Sequence, residues 1–487
     1  MNIAFVASEV VPFAKTGGLA DVSGSLPIEM TKLGHNIKVF MPKYYSVDEN
    51  RFNLEYEAWI GEIPIRVANK VHNVQIFKGL LDDNTTEIYF IDYPPFFHRH
   101  SLYTNDYDED ERFILFSKAV IELLQRLPWI PEIIHTNDWQ CALIALLLKD
   151  NYSWDKLFDK TASIFTIHNI AYQGNFPKET YKKAEIDPKH FEVPGAIEQQ
   201  GRVNFMKAGI SFADIITTVS EKYADELLTP EFSFGMETVL NYRKDDFYGI
   251  LNGIDETIWN PELDIFIPQK YSTKSIRLKE KNKIELVKML SLPYDKNVPV
   301  VGIVSRLASQ KGIDLFLDSI NYLLTFEIQW VVLGSGEYEY EQKLKEVARN
   351  NPNKFNVILG YSNEISHLIT AGSDMFLMPS QFEPCGLTQM YSLKYGTVPI
   401  VRNTGGLADT VFDWDEQTFN GGNNGNGFSF NDYNGYALTN AVERAANYFQ
   451  NKKIWEQIIQ NGMKTTFAWE VSAKKYISIY EKALTKK

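Results

Sequence analysis

Cysteine is almost missing from this sequence. Only Cys141 and Cys385 occur in 487 residues, so no disulfide framework holds the fold and the chain suits a reducing compartment. Long apolar runs are missing too. The longest clear one, Cys141 to Leu148, falls far short of the roughly 20 residues of a membrane span, so no membrane partner is expected. The N-terminus has no basic n-region, and Ser8 and Glu9 interrupt its first apolar run, which reads against a signal peptide and for the cytoplasm. Positive charge is in deficit. Against 62 Asp and Glu stand 49 Lys and Arg, a net charge of −13, which argues against nucleic acid as a general partner. An anionic ligand must then be held by a few local cations. No His/Cys cluster has metal-ligand spacing. Asp106-Tyr107-Asp108 and Asp413-Trp414-Asp415 match the D-x-D pattern of metal-dependent sugar transferases, but neither follows a clear strand. No structural or catalytic metal is expected.

The rest of the composition is ordinary for a globular protein, with 44% hydrophobic and 23% charged residues. The length calls for two or three domains. Aromatic residues reach 14%; such rings stack on sugars, though most of them read as core.

Short apolar strands alternate with amphipathic helices through both halves. Ile3 to Ala7, Asn36 to Met41, Glu87 to Ile91, Glu132 to His135, Ser163 to His168, Asp214 to Ser220 and Gly249 to Asn252 form the first series of strands. Arg112 to Arg126 and Gln140 to Lys149 read as helices between them. A second series runs from Val298 to Val304 through Gln329 to Leu333, Asn356 to Leu359, Met375 to Met378 and Val398 to Val401. This alternation implies mainly parallel sheets covered on both faces, with ligands at the carboxyl ends of the strands. Asp138, His168 and Asn252 fall there. Between the series lies a connection, Asp255 to Asn297, with a charged helix around Lys274 to Leu290. A last helix spans Val471 to Leu484. Asn420 to Asn426 reads as a flexible surface loop and the charge run Asp106 to Glu111 as a solvated face.

The chemistry-bearing stretches begin with Lys15-Thr16-Gly17-Gly18-Leu19-Ala20-Asp21, a glycine turn between the first strand and its helix. Adjacent glycines at a helix mouth let backbone N–H groups approach an anion, and Lys15 adds full charge. Thr404-Gly405-Gly406-Leu407-Ala408-Asp409 repeats Thr16 to Asp21 letter for letter. Two phosphate-type loops suggest a site closed between two similar domains. After the strand ending at Val304, Arg306 and Lys311 are placed to grip a diphosphate, one as a fork and one as a point charge. Gly334-Ser335-Gly336 is half of a dinucleotide fingerprint; the missing third glycine, with Glu339 in its place, argues against NAD and leaves a nucleotide-cradling turn open. Phe382-Glu383-Pro384-Cys385-Gly386-Leu387-Thr388 puts a carboxylate beside a helix start, suited to a sugar or a developing positive charge, or else to capping the helix. Cys385 lacks a base partner and reads as packing.

Together these stretches resemble the bacterial glycogen synthase and plant starch synthase family from Met1 to about Tyr480. Lys15 to Leu19, His135-Thr136-Asn137-Asp138-Trp139, His168 to Gly174, Asn252 to Asp255, Ser305-Arg306, Gln310-Lys311-Gly312, Glu383 to Leu387 and Thr404 to Leu407 carry the resemblance. It implies a GT-B fold, an α/β architecture of two Rossmann-like domains with parallel sheets facing across a deep cleft. The domains would be 1–255 for the glucan acceptor and 256–469 for the nucleotide-sugar donor, with 256–297 as linker and connecting helix. A helix at 470–487 would pack back on the first. The implied reaction moves glucose from ADP-glucose, with retention, to the non-reducing 4-hydroxyl of an α-1,4-glucan such as glycogen or a maltooligosaccharide, with no cofactor. Carried over by motif, Glu383, Arg306, Lys311 and His168 are catalytic; Lys15, Gly17, Gly18, Asp21, Asn252, Tyr361, Cys385, Gly386, Leu387 and Thr388 bind the donor; Asp138 and Trp139 line the sugar site. Here Asn137 and Gln140 stand where many bacterial relatives have His. Ser233 to Met236 replaces a more glycine-rich turn, and Phe96 to Asp110 looks shortened.

Glu383 would anchor the sugar and favour an oxocarbenium-like centre; a nucleophile there would face the donor's diphosphate. Competing readings are a GT-B relative using UDP-glucose or another acceptor, and a catalytically silent glucan-binding protein. The intact Lys15, Arg306, Lys311 and Glu383 speak against the silent form. A phosphorylase would need a pyridoxal phosphate lysine motif, which is not found.

Overall fold

Ile3, Ala4, Phe5 and Val6 are all sealed from solvent, as a strand covered on both faces must be. In the computed structural model, which describes residues 1–192 and 194–487, they form the middle of a ten-stranded sheet. The chain divides into two units, 1–250 with 469–487, and 251–468; the sequence reading had set these divides at 255/256 and 469/470.

In the first unit the strand order is Phe247–Gly249, Ile215–Thr218, Ala162–Ile167, Ile133–Asn137, Asn2–Val6, Asn36–Pro42, Glu87–Asp92, Lys70–Leu80, Glu55–Tyr56, with Ile63–Val67 paired to Lys70–Leu80. From Asn2–Val6 the chain steps first to one side, through Asn36–Pro42, and later to the other, through Ile133–Asn137. Both neighbours pair parallel to it. The order of the sheet therefore reverses between Val6 and Asn137, and in sheets of this kind ligands sit beyond the carboxyl ends at such a reversal. The C-terminal helix Trp469–Leu484 belongs to this unit and packs on the helix Gly18–Lys32. Its Tyr480 hydroxyl lies 2.6 Å from His135 Nδ1.

In the second unit six parallel strands run in the order Phe355–Leu359, Gln329–Gly334, Val300–Val304, Met375–Met378, Val398–Arg402, Phe428–Phe430. The reversal falls between Val300–Val304 and Met375–Met378. Trp330, Phe316, Leu344 and Phe355 form its core with the helix Gly435–Gln450.

Several sequence expectations are corrected. The stretch 55–80 holds antiparallel strands, which its mixed polar and apolar composition did not reveal. A small antiparallel sheet of Asn175–Phe176, Glu198–Gln199 and Arg202–Asn204 was also unseen. The strand expected at Gly249 to Asn252 is Phe247–Gly249, so Asn252 lies beyond it. Of the charge run Asp106 to Glu111 only Asp106 and Tyr107 are exposed, so it is not a solvated face throughout. Asp108, Glu109 and Asp110 are buried, paired respectively with Arg99, Arg112 and Thr180 with Lys183. Asn426 ends the asparagine-rich loop buried, bonded to Phe412 N and Thr410 O, so that end is anchored.

Candidate functional site

Each sheet reversal gathers residues that the sequence singled out. In the second unit, the loop after Val304 carries Arg306 and Lys311, and the loop after Met378 carries Glu383 to Thr388. The two loops are tied where Gln381 N donates to Gln310 O at 2.9 Å. Across them Lys311 Nζ reaches Glu383 Oε2 at 2.5 Å, and Ser380 Oγ donates to the same oxygen at 3.2 Å. Glu383 is 5% exposed, so the ammonium beside it offsets the desolvation of its carboxylate. Arg306 is exposed, its side chain bonded to Gln310 Oε1 at 3.2 Å. Leu387 caps the helix Thr388–Lys394, and the N–H groups of Leu387 and Thr388 take no acceptor among the described residues. Gly386 has φ +70°, a left-handed turn open to glycine. Gln389 Nε2 locks that turn by donating to Cys385 O and Gly386 O at 3.0 and 2.9 Å.

Asn252 is buried and hydrogen-bonds the Cys385 sulfur, while burial pushes the thiol up to about 12, which leaves it inert as a nucleophile. The Asn252 Oδ1 is sealed from solvent without a partner. Tyr361 is 78% exposed, its hydroxyl 3.3 Å from Asn363 Oδ1.

The glycine repeat does not act as a second phosphate loop. A Cβ on Gly405 would stand 1.9 Å from Glu383 O, and one on Gly406 2.0 Å from Cys385 O. Gly406 N donates to Glu383 O at 3.1 Å. These glycines let the helix Gly405–Thr410 press on the backbone that carries Glu383. Gly334-Ser335-Gly336 likewise holds protein: Leu307 N donates to Ser335 O and Glu337 N to Leu307 O, fixing the Arg306 loop.

In the first unit Gly17 caps the helix Gly18–Lys32, as its sequence implied. The anion at that cap comes from the chain itself. Glu9, 3% exposed, accepts from Thr16 N and Gly17 N at 2.5 and 3.1 Å and from Thr16 Oγ1 and Tyr103 OH at 2.6 Å each. The Gly17 N–H is thus committed within the protein, a correction to its expected place on a donor phosphate. The Gly18 N–H has no acceptor among the described residues. Sequence reasoning missed Glu9; a carboxylate shortly before a lysine-glycine turn was the available signal. Lys15 is exposed and paired with Asp21 at 2.7 Å. Burial raises the Asp21 carboxyl, partly countered by that lysine.

Asp138 follows Asn137 with φ +56°. Its Oδ1 accepts from His168 N at 2.7 Å and Asn169 N at 3.4 Å, and desolvation pushes its carboxyl up to about 7. His168 follows the strand Ala162–Ile167, and burial holds its ring down to about 3, hence neutral. Trp139, expected to line the sugar site, is buried among Phe113, Phe176 and Phe205 and works as packing. Both D-x-D pairs serve arginines. Asp106 and Asp108 hold Arg99, and Asp413 and Asp415 hold Arg444. Among the described residues no helix is long and apolar enough to cross a membrane.

Known proteins match this chain along nearly its full length. Residues 2–242 match the family of the starch synthase catalytic domain, and residues 289–465 match glycosyl transferases group 1. A glycogen synthase of Desulforudis audaxviator is 43% identical, over 100% of this chain and 97% of its own. One of Koribacter versatilis is 44% identical, over 99% and 98%. The solved catalytic domain of starch synthase IV from Arabidopsis thaliana, bound to ADP and acarbose, superposes with a TM-score of 0.91 at 34% identity, covering 99% of each chain. The chain belongs to the glycogen synthase and starch synthase family of retaining GT-B glycosyltransferases.

Proposed function

We propose that this protein lengthens an α-1,4-glucan by moving glucose from ADP-glucose to the non-reducing-end 4-hydroxyl, with retention and without a cofactor or metal, in the cytoplasm. The observation that carries the reading is the Lys311–Glu383 pair at the sheet reversal of the second unit, with Arg306 on the adjoining loop. Breaking the glycosidic bond leaves a diphosphate, so negative charge grows on the leaving group. Arg306 and Lys311 are cations of the right kind to meet it, and the open amides of Leu387 and Thr388 add donors. Such preorganised groups typically contribute about 3–4 kcal/mol each to the barrier.

Glu383 serves the sugar side. Its Oε2 already receives Lys311 and Ser380, and a carboxylate so engaged is a poor nucleophile. No second carboxylate lies in the same loop to act as acid and base for double displacement at about 5 Å. Anchoring of a ring hydroxyl and electrostatic support of the oxocarbenium-like centre fit better, with the leaving phosphate taking the acceptor's proton on the same face. Asn252 and His168 serve the transferred glucose. Lys15 with Asp21, Tyr361 and the backbone at Gly18 and Gly386 serve the donor nucleotide, and Asp138 braces the His168 loop. The acarbose and ADP of the starch synthase neighbour are the ligand classes this reading expects.

The test is incubation with radiolabelled ADP-glucose and glycogen, counting label in precipitated polymer, with UDP-glucose in parallel. Label entering polymer from ADP-glucose supports the reading. Label only from UDP-glucose changes the donor, and none from either removes the activity.

A further inference from the structure

Asn137 is fully buried at the end of the strand Ile133–Asn137. Its Nδ2 lies 3.0 Å from Val6 O, a carbonyl that can only accept. The amide is therefore oriented, with NH₂ towards Val6 and Oδ1 the other way. That Oδ1 sits 2.9 Å from His168 Nε2. An amide oxygen also only accepts, so the proton of the neutral ring resides on Nε2. Nδ1 is left as a bare lone pair. It makes no hydrogen bond among the described residues and is not one of the sealed polar atoms, so it borders accessible space. The backbone of His168 is held separately, through Asp138 Oδ1.

His135, in the same sheet, shows what happens without such a device. Its two ring nitrogens face Tyr480 OH and Thr166 Oγ1, both at 2.6 Å. Hydroxyls donate or accept, so neither partner is an acceptor-only group that fixes the tautomer, and the Tyr480 hydroxyl also reaches Met30 Sδ at 3.8 Å. At His168 the carbonyl of Val6 dictates it through one amide.

We infer that Asn137 is a positioning residue that holds His168 in its Nε2–H tautomer, keeping Nδ1 as a standing acceptor for a hydroxyl of the bound sugar. The inference rests on the reading that His168 meets the transferred glucose. Burial that keeps the ring neutral, with its proton affinity down to about 3, maintains the same state across the working pH range. An acceptor-only atom selects a hexosyl group with a hydroxyl at that place and discriminates against one with fluorine or hydrogen there.

The test uses the full-length protein with ¹⁵N-labelled histidine, His168 being assigned by its loss in His168→Gln. Long-range proton–nitrogen spectra should show a protonated Nε2 and a bare Nδ1 in the wild type. Asn137→Leu, which removes both halves of the link, should release the tautomer and lower kcat/KM for ADP-glucose about ten- to a hundredfold, the scale of one hydrogen bond to a polar site. Asn137→Asp, which keeps an acceptor for Nε2–H but sets its other oxygen against Val6 O, should keep the proton on Nε2 while losing part of the activity. A wild-type spectrum with the proton on Nδ1 overturns the inference whether or not either variant folds. So does an Asn137→Leu protein that folds and keeps the wild-type tautomer. Full turnover in His168→Ala would instead overturn the placement of His168 at the sugar while leaving the tautomer assignment intact.

Discussion

Lys311 Nζ lies 2.5 Å from Glu383 Oε2, although 72 residues separate them in the chain. Two groups that the sequence assigned to opposite partners, the leaving diphosphate and the glucose, are thus one electrostatic unit.

That coupling separates stability from turnover. Lys311→Ala leaves a buried carboxylate uncompensated, which should destabilise the fold by about 3–5 kcal/mol and lower kcat by about two to three decades. Adding Glu383→Gln should restore much of the stability, because no charge is then stranded, while turnover stays low. Urea melts and steady-state kinetics on the single and double variants check this. Recovery of activity together with stability would show that the lysine acts only on the fold.

Glu9 should behave as the organiser of the Lys15 loop. In Glu9→Ala the exposed N–H groups of Thr16 and Gly17 exchange their carboxylate acceptor for water, at about 0.5–1.5 kcal/mol for each hydrogen bond lost. KM for ADP-glucose should rise, because Lys15 follows the loop. A variant with lowered melting temperature but wild-type KM would confine Glu9 to structure.

The two copies of the six-residue repeat should respond oppositely to the same change. A Cβ on Gly17 or Gly18 meets nothing within 4 Å, whereas on Gly405 or Gly406 it runs into the backbone of Glu383 or Cys385. Gly405 also has φ +45°, in the region L residues seldom occupy. Gly18→Ala should stay within about 1 kcal/mol of wild-type stability and act on donor KM. Gly406→Ala should destabilise by about 1–3 kcal/mol or more and lose turnover as Glu383 shifts. Thermal melts beside donor titrations decide it; equal melting temperatures for the two variants would contradict the assignment.

Asp138 gives a pH test. Its folded carboxyl, pushed up to about 7, holds a proton that the unfolded chain has released, so its contribution to stability declines as pH rises from about 4 to about 7. His135 and His168, held down to about 3 by burial, act in the other sense. The unfolded chain binds their protons below about 6.5, so stability falls on acidification. Asn at 138 keeps an acceptor for His168 N–H and tolerates the positive φ. Asp138→Asn should therefore lose stability on acidification more steeply than wild type, by about 1.4 kcal/mol per pH unit between about pH 4 and 7. Urea midpoints across that range measure it; parallel curves would mean that Asp138 does not titrate there.

What the sequence determined by itself is local and periodic. Buried parallel strands announce themselves as apolar runs, and the glycine turn after Val6 and the Glu383 stretch are contiguous in the chain, so both series and most site loops were legible. The antiparallel strands at 55–80 were not, because their alternation is broken by polar residues and their pairing is set by neighbours. Only the tertiary structure decided which charges meet. It filled the Gly17 cap with Glu9, joined Lys311 to Glu383, buried Asp110 against Lys183 from a distant segment, and turned the second glycine repeat from a ligand cradle into a packing contact. The physical reason is that a hydrogen bond or ion pair depends on what stands within about 3 Å, and chain crossings between distant segments, not spacing along the chain, determine that.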